Sequence, residues 1–100
     1  MLKMLQSYRA LVEALIEAQE LKNKAYENAI AKSMQTLKPE IYKFLKWAND
    51  KLLKNFIELF YFNACTPAKY EAEVSTSYDS MRACCRRQCE KYDTINSKKI

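Results

Sequence analysis

Apolar residues in the first third of the chain recur at spacings of three and four, so that Met4, Leu5, Tyr8, Leu11, Val12, Leu15, Ile16 and Ala18 form one wide stripe. That period marks an amphipathic helix with one face turned to a core. From Leu21 the stripe narrows through Ala25, Ala29 and Ile30 to Met34 and Leu37, with small side chains that let a second helix approach closely. Glu20 and Lys24, four apart, make a favourable pair on one continuous helix. The pattern predicts a first helix over residues 2–36.

Lys38-Pro39 is the first break, because proline disfavours helical geometry in the residue before it and suits the first turn of a new helix. A second helix is expected over residues 39–63. Its apolar positions run from Ile41, Tyr42, Phe44, Leu45 and Trp47 to Phe56, Ile57, Leu59, Phe60, Tyr61 and Phe62, too many for one face. A helix apolar over most of its circumference must be covered from two directions. Thr66-Pro67 then offers an N-cap followed by proline at the first helical position, and a third helix is expected over residues 67–92. Tyr70, Val74, Tyr78, Met81, Cys85 and Cys89 or Tyr92 form its stripe, and Val74-Ser75-Thr76-Ser77 is its weak point. The expected fold is all-α, three helices arranged as a bundle or an extended helical hairpin, in a single domain over residues 1–93 with a polar tail over 94–100.

Composition narrows the chemistry. A chain of 100 residues, 49% of them hydrophobic, builds one modest core. It contains no glycine, so phosphate loops and glycine-dependent left-handed caps are not expected, and no histidine, the commonest general base and metal ligand. Ser75, Thr76, Ser77 and Ser80 have no histidine to activate them. The chain reads as non-enzymatic, with neither cofactor nor metal expected. Arg9, Glu13 and Glu17 interrupt any signal-peptide core near the start, and the apolar stretch 52–64 is too short to span a bilayer. An intracellular setting without a transmembrane segment is expected.

Four cysteines are the sharpest local signal: Cys65, then Cys84, Cys85 and Cys89. Three of them share about one helical turn, which does not suit a tetrahedral zinc site built from two separated pairs. A disulfide between Cys65 and Cys85 requires a turn. On one straight helix from Pro67, Cys85 lies roughly 27 Å along the axis at about 1.5 Å per residue, whereas a bend at Ser75–Ser77 sets 65 and 85 opposite each other. The other reading is that the cysteines are small packing residues in a reducing compartment. Residues 65–89 loosely resemble the twin-cysteine helical hairpins of the mitochondrial intermembrane space. Those families carry two equally spaced pairs, and the position matching Cys89 here is Tyr61.

Ser7-Tyr8-Arg9-Ala10-Leu11 is similar to the tripeptide that names the LYR-motif proteins, with serine in place of the leading leucine. That family comprises small basic three-helix mitochondrial proteins that bind acylated carrier protein. The resemblance implies an assembly factor or a respiratory-complex accessory subunit, with Tyr8 and Arg9 as contacts and a mitochondrial location.

Seventeen basic and twelve acidic residues give a formal charge of +5, and they are interspersed. Such mixing usually means solvated helix faces. The one local concentration is Arg82, Arg86, Arg87 and Lys91, followed by Lys98 and Lys99, the basis of a nucleic-acid-binding alternative. Asp79, Glu90 and Asp93 flank it, and cations late in a helix also complement its dipole. The leading expectation is a structural or accessory subunit that binds protein partners in a larger complex, a mitochondrial respiratory or ATP synthase assembly being the most specific form. It would dock through Trp47, Phe56, Phe60, Tyr61 and Phe62 of the second helix, with peripheral association to a membrane complex allowed.

Overall fold

Five α-helices and one π-helical stretch make up the computed structural model, which describes residues 1–97. Helix α1 spans Leu2–Glu20, α2 Lys24–Ala48, α3 Lys51–Phe56, α4 Pro67–Val74 and α5 Tyr78–Ser97, and α3 runs on as a π-helix over Ile57–Phe62. The all-α class expected from periodicity is what is found, with five helices where three were expected. Residues 98–100, with Lys98 and Lys99 of the basic set, lie outside the described residues.

The first break falls at Leu21–Asn23, not at Pro39. Lys22 adopts a left-handed backbone (φ 55°), and the amides of Lys22 and Asn23 return to the carbonyls of Gln19 and Ala18. This is the Schellman arrangement that closes a helix. The Asn23 side chain then caps α2 by accepting from the Tyr26 amide. Glu20 and Lys24 therefore sit on different helices, and Lys24 pairs with Glu27 at 3.9 Å instead. Helix α2 continues through Pro39, whose exposed ring lies opposite the buried Ile41, Phe44 and Leu45. A proline inside a helix costs about 3 kcal/mol, and packing of the apolar face on both sides of it offsets that.

The expected second helix is divided at Asn49-Asp50. Asn49 takes a left-handed conformation (φ 48°) and ends α2, and the Asp50 carboxylate accepts from the amides of Leu52 and Leu53 to start α3. Thr66 caps α4 through the Lys69 amide with Pro67 behind it, as the sequence indicated. The weak point of the expected third helix is a true turn. Ser75 is left-handed (φ 55°), and α5 begins with the Ser77 hydroxyl accepting from Ser80 and the Glu71 carboxylate from Tyr78. Helix α5 extends through Ser97, four residues beyond the expected domain end. Among the described residues the positive-φ positions are Lys22, Asn49, Ala64 and Ser75, so the left-handed turns expected to be missing are made without glycine.

The helices lie in a flat body, 41 × 40 × 16 Å, with a radius of gyration of 14.6 Å against about 13 Å for a compact chain of this length. One core joins Leu5, Tyr8 and Val12 of α1, Ile41, Phe44 and Leu45 of α2, Leu53, Phe56, Ile57 and Tyr61 of the central segment, Tyr70 of α4, and Met81, Cys85 and Cys89 of α5. The α3–π segment is the middle strut. Phe56 and Phe60 stack on each other, and the strut's rings meet aromatic side chains from the other helices. Phe62 meets Tyr8 and Tyr42, Phe60 meets Tyr78, and Phe56 meets Tyr70 edge-on at 5.2 Å.

Candidate functional site

The π-helix sets the local chemistry of the middle strut. Asn63 N–H bonds the carbonyl of Glu58 and Cys65 N–H that of Leu59, a wider spacing than an α-helix gives. Arg9 fills the resulting need at the strut's end: its Nη1 donates to the carbonyls of Phe60 (2.6 Å) and Cys65 (3.0 Å), while Nε pairs with Glu13 at 3.3 Å. Tyr8 is buried against Phe62, ring centroids 4.8 Å apart. The Tyr8-Arg9 pair that suggested partner contacts thus ties α1 to its own chain.

The expected docking aromatics separate into two groups. Phe56 is fully buried and Tyr61 nearly so, and Phe60 and Phe62 are half-buried against Arg9, Tyr78, Tyr8 and Tyr42. Phe56 and Tyr61 belong to the chain's own core, and Phe60 and Phe62 are partly buried against it. Their breadth around the helix, which suggested a second polypeptide, is matched by α1, α2, α4 and α5. Trp47 is different. It stacks on Phe44 and meets Tyr92 edge-on, yet stays 39% exposed.

Beside Trp47 lies a shallow groove of about 430 Å³ between the ends of α2 and α5, lined by Trp47, Arg87, Glu90, Lys91, Thr94 and Ile95. Ile95, 41% exposed, continues the apolar floor. Sequence reasoning missed Ile95, because it lay in the presumed polar tail. Its spacing from Lys91 and Tyr92 on one continued helix was the available signal. Other exposed apolar side chains sit at the far tip of the α1–α2 hairpin, namely Ile16, Leu21 and Tyr26, and around the α2–α3 corner, namely Tyr42 and Leu52.

The basic stripe is divided by the same geometry. All four cations are exposed on α5. Arg82 and Arg86 share a depression with the carboxylates Asp79 and Glu90, and Arg86 Nε stands 3.5 Å from Glu90. Arg87 reaches both depressions, and Lys91 belongs to the Trp47 groove. Neither Arg87 nor Lys91 makes an ion pair among the described residues.

The four cysteines are free thiols. The bend that a Cys65–Cys85 bridge demands is present at Ser75, but the two residues have different company. Cys65 is half-buried near Arg9, Lys69 and Glu73, and burial raises its pKa. Cys85 and Cys89 are buried one turn apart with their thiols hydrogen-bonded. Donation to Cys89 first, and burial second, push the Cys85 pKa up, and acceptance of the same bond draws the Cys89 pKa down. The Met1 ammonium, held 2.9 Å from Asp93, adds to that lowering. Among the described residues no three His, Cys, Asp or Glu side chains are grouped to hold a metal ion, and no helix is long and apolar enough to cross a membrane.

No protein-family model, curated protein or solved structure matches the chain.

Proposed function

We propose that this protein is a non-catalytic accessory subunit of a larger protein assembly, held there through the groove between the ends of α2 and α5. The observation that carries the reading is the exposure of Trp47 on α2 beside Ile95 on α5, while the aromatics of the strut are buried or half-buried within the chain. Indole and aliphatic side chains in a concave site give up much of their remaining exposure when a partner helix or loop closes over them, and tryptophan is enriched at such anchors. The sequence adds the lack of histidine and of any activated nucleophile. A mitochondrial respiratory or ATP-synthesising assembly is the most specific form of the proposal, supported by the Ser7–Leu11 and Cys65–Cys89 resemblances of the sequence alone. The nucleic-acid alternative has weaker support, because Asp79 and Glu90 stand among its cations.

Trp47→Ser combined with Ile95→Ser tests the proposal without opening the core, as Phe56→Ser would. Tagged wild-type chain should migrate with a high-mass assembly in extracts of its native cells. The double variant, its helical circular dichroism unchanged, should migrate as free protein. Equal incorporation of both into the same assembly would refute the groove as the docking site.

A further inference from the structure

We infer that the groove receives an acidic amphipathic helix of a partner protein. The inference rests on the docking reading above and adds the chemistry of what docks. The groove is bounded by two helices, α2 at its end and α5 over its last three turns, with an apolar floor of Trp47 and Ile95. A helix laid in such a channel presents apolar side chains at i, i+3 or i+4, and i+7.

Charge decides which helix. Glu90 is the only carboxylate lining the groove among the described residues, and Arg86, one turn before it on α5, stands 3.5 Å from it. Arg87 and Lys91 stand over the floor without a carboxylate partner among the described residues. A basic helix would meet the like charge of Arg87 and Lys91 along α5. An uncharged one would strip water from Arg87 and Lys91 and give nothing in return. Carboxylates at the helix edges satisfy both cations and leave the apolar side chains to cover Trp47 and Ile95. A nucleic-acid backbone would satisfy the cations alone and leave the floor uncovered.

A phage-displayed library of surface-randomised helical peptides, selected against the immobilised full chain, tests this. Enriched sequences should carry Leu, Ile or Phe at i, i+4 and i+7 with Asp or Glu beside them. A synthetic consensus peptide should shift the emission of Trp47, the chain's one tryptophan, to the blue. Arg87→Glu with Lys91→Glu should weaken that peptide's binding by about tenfold or more. The ways of failing are separate. Enriched peptides that bind the Trp47→Ser, Ile95→Ser variant equally well would remove the docking reading itself. Peptides that need Trp47 and Ile95 but carry basic or uncharged edges, or that tolerate the charge reversal, would keep the groove and overturn the acidic partner. Tighter binding of a duplex DNA oligonucleotide or of phosphatidylserine vesicles than of any selected peptide would overturn it too.

Discussion

The Arg9 guanidinium lies over the Phe60 ring, 4.0 Å from its centroid, and at the same time donates to the Phe60 carbonyl at 2.6 Å. One side chain thus holds both the face and the backbone of a residue fifty-one positions away. With the second bond to Cys65, it closes the end of the π-helix that the α-helical pattern would have left open. Arg9→Met keeps most of the apolar stem and removes the fork. It should lower stability by about 2–4 kcal/mol, since the carbonyls lose charged donors in a half-buried place. Arg9→Lys should recover only part of that, a point charge being a poorer match to two carbonyls. Urea unfolding of the three proteins measures it, and a loss below about 1 kcal/mol for Arg9→Met would mean that water serves the carbonyls equally well.

Tyr70 presents the opposite case. Its ring is fully buried against Phe56, and its hydroxyl has no hydrogen-bond partner. An unmet buried hydroxyl is a cost that removal of the oxygen relieves. Tyr70→Phe should therefore stabilise the protein by about 1 kcal/mol, read as a higher urea midpoint at unchanged slope. A destabilised variant would show that the hydroxyl is served by a bound water.

The α1–α2 turn stores backbone strain at Lys22, an exposed residue with φ of 55°. A left-handed L-residue costs about 1–2 kcal/mol, which glycine avoids at some loss of unfolded-state order. Lys22→Gly should raise stability by about 0.5–1 kcal/mol. The same glycine at Ala25, inside α2, should lower it, and the opposite signs in thermal melts identify the turn.

Alkaline pH should loosen the core. Burial, followed by the nearby Cys85, raises the Tyr61 pKa above its ordinary value of 10.0, and burial raises that of Tyr70. In the window between the ordinary and the raised values the folded chain keeps these protons and the unfolded chain loses them. Stability from both phenols is whole below pH 10 and falls as pH rises beyond it. The raised Cys85 pushes the same way from its ordinary 9.0, whereas the lowered Cys89 adds stability only as pH rises towards 9.0 and gives no slope above it. Urea midpoints should decline from about pH 9 upward, and Tyr61→Phe with Tyr70→Phe should remove the added steepness above about pH 10. A decline of equal steepness in the double variant would assign it elsewhere.

Local signals told most about the helix ends that side chains make. Thr66-Pro67 opened α4 as its residue types indicated, and the hydroxyl-rich Ser75–Ser77 proved to be the turn its competition with the backbone implied. Asn49-Asp50 carried a legible signal, a left-handed-tolerant residue followed by a capping carboxylate, but the aromatic run around it suggested one unbroken helix. Pro39 pointed the wrong way, because its local penalty is smaller than the packing gained by Ile41, Phe44 and Leu45. The candidate site shows the same division. Trp47 stood out by its chemistry, whereas Ile95 gained meaning only when α5 ran on to Ser97 and set it beside the indole.

The sequence by itself determined that the chain is helical, which face of α5 is apolar, and that histidine-based chemistry has no residues to work with. Those properties depend on residue type and spacing within one or two turns. Tertiary structure alone decided which aromatics are core and which are surface, because exposure depends on what arrives from elsewhere in the chain. Phe56 and Trp47 are equally apolar in sequence. The first is enclosed by a tyrosine from α4, and the second keeps one side open because its neighbours Phe44 and Tyr92 cover only the other.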